Sequence, residues 1–167
     1  MLTLTNDMMR QIIIDHYSHP LNKHQPATDA YVKIHMHSDN CIDDIDVFLL
    51  LEEGIVKDAC FDGVGCTIAT ASTDIMCELL RDKTYEEAKY IIDQYLHMIH
   101  EEEYDGEVLD EAIAFINTSK QAARIRCATI GWNAADSLLK DLTINKSSEN
   151  WLNITKTVLF VELSLKS

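Results

Sequence analysis

Four residues of this chain have the right types to hold a cation together: Cys41, Asp43, Cys66 and Cys127. Cys41 and Asp43 lie two apart at the mouth of a predicted strand. In an extended chain such residues project from the same face, which sets a thiol beside a carboxylate. Cys66 follows Gly63-Val64-Gly65 and opens a predicted helix, and Cys127 follows Arg124-Ile125-Arg126 and opens another. Free amides at a helix start and nearby cations both favour a thiolate over a thiol. Three thiolates and one carboxylate, converging from loops and element ends, make a tetrahedral site suited to zinc. The spacing alone leaves a plainer reading open, because cysteine is among the most buried residue types and fills cores as a small hydrophobe. That reading suits Cys60, inside an apolar strand, and Cys77, inside the helix after Cys66.

The elements that must position these residues are legible in outline. Met9, Ile12, Ile13 and Tyr17 recur at helical spacing over Asn6 to His19, with Asn6 as the expected cap and Pro20 as the stop. Tyr31–His37 alternates Tyr, Ile and Met against polar residues, and Ile45–Leu51 and Ile55–Phe61 are rich in branched and aromatic residues. Glu53-Gly54 separates the last two, which predicts an antiparallel meander of three strands. Thr67 to Leu80 carries Ile68, Ala71, Ile75 and Leu79 on one helical face. Thr84 and Glu87 stand in capping-box register before a helix through Ile91, Ile92, Tyr95 and Ile99. Val108 to Phe115 reads as a short helix and Ala128 to Leu142 as another. Strands followed by helices without regular alternation predict an α+β fold: a three-stranded antiparallel sheet with helices packed on one face and the metal site at its edge. The domain is expected over residues 1–144. Residues 145–167 form a C-terminal extension, with a polar start over Asn145 to Asn150 and an apolar, strand-like stretch over Thr157 to Leu165.

Composition narrows the function classes. A chain of 167 residues is one domain by size. Its net charge of -14 argues against a nucleic-acid partner, since phosphate binding needs clustered Lys and Arg. No apolar run is long enough for a transmembrane helix. The start, with Asp7 and one basic residue before Ile12, lacks the pattern of a secretory signal and predicts a cytoplasmic protein. Five cysteines, an odd number, fit free thiols, catalysis or metal binding better than a disulfide framework.

Longer stretches carry a resemblance. Arg10-Gln11-Ile12-Ile13-Ile14-Asp15-His16-Tyr17 with Pro20 and Asn22, then Phe61-Asp62-Gly63-Val64-Gly65-Cys66-Thr67-Ile68-Ala69-Thr70-Ala71-Ser72, then Lys83-Thr84 with Glu87-Ala88, and Arg124-Ile125-Arg126-Cys127-Ala128-Thr129 with Trp132 follow one another in order. Together they resemble the SufU branch of the SufU/IscU family of iron–sulfur cluster assembly proteins. The long stretch between Cys66 and Cys127 is similar to SufU rather than IscU. IscU also carries a histidine immediately before its third cysteine, where this chain has Arg126.

The resemblance implies a zinc site of Cys41, Asp43, Cys66 and Cys127. It further implies that Cys41 receives persulfide sulfur from a SufS-like, pyridoxal-phosphate-dependent cysteine desulfurase and passes it to downstream iron–sulfur assembly proteins. In the family, a histidine of the desulfurase displaces this cysteine from zinc and frees it to react. The chain is then a zinc-dependent sulfurtransferase if Cys41 is active. Two alternatives stay open: a scaffold that assembles a transient iron–sulfur cluster on the same ligands, and a non-enzymatic adaptor with a structural zinc. One departure bears on Cys41. The family motif Asn-Pro-x-Cys-Gly-Asp is here Ser38-Asp39-Asn40-Cys41-Ile42-Asp43, and a left-handed backbone at the glycine position would strain Ile42.

The remaining candidates are weighed against plain roles. Arg124 is a supporting residue that pairs with Asp43 or steadies the anionic site, with a surface arginine as the other reading. His35 and His37, and His97 and His100, read as solvated surface histidines, and His16 as a packing or hydrogen-bonding residue near the sheet. Glu101-Glu102-Glu103 reads as a solvated helix end.

Overall fold

The computed structural model describes residues 3–142, so the expectations for residues 145–167 lie outside the described residues. Helix α1 spans Asn6–Ser18. Its cap is Thr5 rather than the expected Asn6: the Thr5 hydroxyl accepts from the Met8 N–H at 3.2 Å, so the first helical turn begins one residue earlier. Of the stripe read from the sequence, Met9 is buried, Ile12 and Ile13 are half-buried, and Tyr17 is exposed.

The meander forms as expected. Strands β1 (Val32–His37), β2 (Asp44–Glu52) and β3 (Ile55–Val64) pair antiparallel in the order β1-β2-β3. Glu53 and Gly54 both take positive φ, 52° and 76°, as a two-residue hairpin turn requires. Side chains alternate across the sheet. Ile45, Val47 and Leu49 of β2 and Ala59 and Phe61 of β3 join the main core. Lys33, His35, Asp44 and Asp46 occupy the other register positions and pair with one another there. Phe48 and Cys60 are partners across β2 and β3 on that second face, and both are buried.

Helices cover the first face. Helix α2 (Thr67–Leu80) is buried continuously from Ala69 to Cys77. Helix α3 (Tyr85–Ile99) opens on the capping box of Thr84 and Glu87 and buries Ile91, Ile92, Tyr95 and Ile99. The helix expected over Val108 to Phe115 is instead two 3-10 segments, Gly106–Val108 and Asp110–Lys120. Gly106, the Asp105 carboxylate capping Glu107, and the left-handed backbone of Asp110 (φ 44°) keep the chain from settling into α geometry. The last helix, α4, occupies residues 122–142 and starts well before the expected Ala128. Ala122, Ala123 and Arg124 are strong helix formers, and Arg124 N–H donates to the Gln121 carbonyl at 2.7 Å.

Two contacts fix α4 on its neighbours. Gly131 lies so close to α2 that a Cβ there would stand 2.4 Å from Thr73 Oγ1. Beside it the Ala128 carbonyl accepts from the Ser72 hydroxyl at 2.6 Å and the Tyr95 hydroxyl at 2.9 Å, while Trp132 Nε1–H donates to Ser72 Oγ at 2.9 Å. Tyr95 and Trp132 stack with ring centroids 3.9 Å apart. His16, expected near the sheet, ties helices instead: Nδ1 meets Asp74 of α2 at 2.7 Å and Nε2 meets Glu111 at 2.8 Å.

Candidate metal centre

The four residues singled out by type converge from three parts of the fold. Cys41 and Asp43 lie on the β1–β2 connection, whose ends are drawn together by Ser38 N–H donating to the Asp43 carbonyl at 3.0 Å. Cys66 sits directly after Gly65 and caps α2, its sulfur accepting from Ala69 N–H at 3.4 Å. Cys127 comes from α4. One ligand atom from each, three sulfurs and a carboxylate oxygen, all lie within 4.8 Å of one another. Cys127 Sγ stands 3.6 Å from Cys41 Sγ, and Cys66 Sγ 3.9 Å from Asp43 Oδ2. Sulfurs bound to one tetrahedral zinc at ordinary bond lengths lie roughly 3.7 Å apart. The donor set therefore fits a zinc ion in type, number and separation.

The glycines before Cys66 explain how α2 reaches this point. Gly63 has φ 118°, and a Cβ on it would fall 2.3 Å from the Asp44 carbonyl oxygen. Only glycine lets the end of β3 pass this close to the start of β2. Asp43 is fully buried and accepts from the Cys66 backbone N–H at 2.8 Å through Oδ1, which leaves Oδ2 facing the sulfurs. Asp43 is thus oriented by the residue it would share a metal with.

Two expectations about this site change. Cys127 does not open a helix but lies inside α4, so free terminal amides do not act on it. The Cys66 and Cys127 thiols are also not biased toward thiolates by the protein alone. Burial pushes the Cys66 thiol up, with the Ala69 amide working in the opposite sense. Burial, together with Asp43, Cys41 and Cys66 beside it, pushes Cys127 up as well. A bound cation reverses this balance, since a coordinating thiol is deprotonated outright.

Ile42 needs no strained backbone. Among the described residues, the non-glycine residues with positive φ are Glu53, Asp82, Glu101 and Asp110, and Ile42, 64% exposed, is not one of them. Cys41 therefore joins the cluster despite the lost motif glycine. Arg124 is exposed, and among the described residues no ion pair joins it to Asp43. Cys77 is buried in the main core and Cys60 beneath the second sheet face, where burial pushes its thiol up to about 11. The surface reading of His35, His37 and His97 agrees with their half-exposed side chains. Sequence reasoning passed over Gly131 and Ser72, which place Cys127. The available signal was the four-residue spacing of Cys127 and Gly131 on one helix face.

Known proteins are similar to this chain in sequence and in fold. A family model described as the NifU-like N terminal domain matches residues 8–141. The zinc-dependent sulfurtransferase SufU of Bacillus subtilis (strain 168) is 35% identical over 130 residues, covering 77% of this chain and 87% of that protein. The iron–sulfur cluster assembly scaffold protein IscU of Streptococcus pyogenes serotype M1 is 29% identical over 140 residues, covering 83% and 87%. The crystal structure of FiSufU from Fervidobacterium islandicum AW-1 superposes with a TM-score of 0.74 at 25% identity, covering 77% of this chain and 94% of that one. The chain belongs to the NifU-like N-terminal domain family, with SufU and IscU proteins among its relatives.

Proposed function

We propose that this protein is a zinc-dependent sulfur acceptor in iron–sulfur cluster biogenesis, with Cys41, Asp43, Cys66 and Cys127 as the zinc ligands and Cys41 as the residue that takes up sulfur. The observation that carries the reading is the convergence of three cysteine sulfurs and one oriented carboxylate within 4.8 Å. The resemblance to a relative named as a zinc-dependent sulfurtransferase supports it. When bound, zinc supplies the positive charge that keeps buried thiolates ionised near neutral pH.

The residues divide the work by position. Asp43 and Cys127 are buried and Cys66, half-buried, is fixed at the head of α2, and these three serve as anchors. Cys41, half-buried on a loop, borders a cavity of about 340 Å³ shared with Cys127, which supports its reading as the ligand that meets the donor. The donor is the persulfide of a SufS-like, pyridoxal-phosphate-dependent cysteine desulfurase. The Cys41 thiolate attacks the terminal sulfur of that persulfide. A sulfur–sulfur bond forms at Cys41, the one in the donor breaks, and the donor cysteine leaves as a thiolate. The transfer is isoelectronic and needs no added oxidant. Cytoplasmic residence belongs to the same reading, and no helix among the described residues is long and apolar enough to cross a membrane.

The test is to incubate the zinc-loaded protein with a cysteine desulfurase and cysteine, then map added sulfur by peptide mass. One extra sulfur atom on the Cys41 peptide is expected, and none in Cys41→Ala. Desulfurase stimulation that survives Cys41→Ala would instead point to an adaptor with a structural zinc. A scaffold role is the second reading, favoured by the relative named IscU and by the readiness of thiolates to bind iron.

A further inference from the structure

The cavity beside Cys41 holds a cation that the zinc site does not use. It is lined by Ser38, Asn40, Cys41, Arg126 and Cys127, together with the two alanines that start α4. Among the described residues, Arg126 is the one charged residue lining it. Arg126 is exposed, and no ion pair holds it among the described residues. Asp43, the carboxylate of the cluster, is committed to the Cys66 amide and faces the sulfurs. Arg124, two residues earlier, does not line the cavity. The space is ample, since a water occupies roughly 30 Å³ of liquid. It accommodates an added sulfur and its hydration.

We propose that Arg126 is the anion-holding residue of this cavity: its guanidinium binds the terminal, negatively charged sulfur that Cys41 acquires. The inference rests on the sulfur-acceptor reading above and adds a residue to it. A persulfide is a stronger acid than a thiol and is an anion near neutral pH. That anion forms next to buried acceptors in a chain of net charge -14, a setting that disfavours it without a local cation. Arginine keeps its charge at all working pH values and presents a fork of N–H donors. Ser38 and Asn40 add polar groups to the same wall. The two small alanines leave the approach to Arg126 open.

Inorganic polysulfide tests this without any protein partner. Full-length zinc-loaded protein is treated with it, and sulfur gained by the Cys41 peptide is followed by mass against time, alongside zinc content and melting. Arg126→Gln is expected to keep zinc and fold but to load Cys41 about tenfold more slowly, the size of one lost charge-assisted hydrogen bond. Arg126→Lys is expected to recover most of the rate. Arg126→Met replaces Arg126→Gln if the latter loses zinc. Equal loading rates in Arg126→Gln and the parent protein would overturn the proposal. A slow reaction with desulfurase but normal polysulfide loading would overturn it too, and would assign Arg126 to docking. Failure of the parent protein to gain sulfur at Cys41 from either donor would overturn the sulfur-acceptor reading itself, and this inference with it.

Discussion

Cys41 Sγ and Cys127 Sγ stand 3.6 Å apart although 86 residues separate them in the chain. The β1–β2 connection brings one and α4 brings the other. Their approach depends on how closely α4 seats on α2, because Cys66 at the head of α2 completes the group. Assembly of the four-residue cluster is in this way a consequence of tertiary packing.

Removing an anchor should therefore cost both metal and stability. Cys66→Ala and Cys127→Ala are expected to lose stoichiometric zinc and to melt at lower temperature, since metal binding is coupled to folding. Cys60→Ala and Cys77→Ala should keep zinc and lose only about 1–2 kcal/mol from their buried positions. Elemental analysis paired with thermal melts on the four variants checks this, and stoichiometric zinc in Cys66→Ala would reject the ligand set.

The seat of α4 can be probed away from the ligands. Gly131→Ala would force its methyl against Thr73 Oγ1 and is expected to destabilise the fold by about 1–3 kcal/mol and weaken zinc retention. Adding Thr73→Ala removes the colliding atoms and should recover part of the loss. Urea unfolding and zinc competition with a chelator, measured on the single and double variants, report it. Two additive losses would show that the helices do not meet at this point.

A pH dependence follows from His16. The Asp74 hydrogen bond, with Glu111 on the other ring nitrogen, outweighs burial and raises its pKa from 6.5 to about 9. Asp74 and Glu78 of α2 and Glu111 of the 3-10 segment are the acids that face it. Because the folded value is the higher one, the stabilisation is complete below about pH 6.5 and is lost as pH rises through about 9. The amount is roughly 2–3 kcal/mol. His16→Gln should be less stable than the parent at pH 6, with the gap closing by pH 10. Denaturant midpoints across that range decide it, and a gap that stays constant would contradict the assignment.

The sequence carried the sheet, α2, α3 and the identity of the clustered residues because each has a local signature. The Glu53-Gly54 turn, the Thr84 and Glu87 capping box and the glycines before Cys66 act within a few residues of themselves. The start of α4 and the 3-10 character of Asp110–Lys120 were misread because packing and one left-handed residue decide them. The state of the Cys66 and Cys127 thiols was misread for a similar reason: burial by distant elements is the largest influence on both and pushes them up. His16 illustrates the same limit, for nothing near it in sequence announces Asp74 or Glu111. Ile42 shows the converse. A motif position that favours glycine elsewhere is filled here without left-handed backbone, so the lost glycine does not remove Cys41 from the site.

Metal content of the purified full-length protein, by elemental analysis together with its visible spectrum, tests the central claim most directly. About one zinc per chain and no colour is the expected result. A folded protein without metal would contradict the site, and iron with sulfide absorption would contradict zinc as its occupant and favour the scaffold reading.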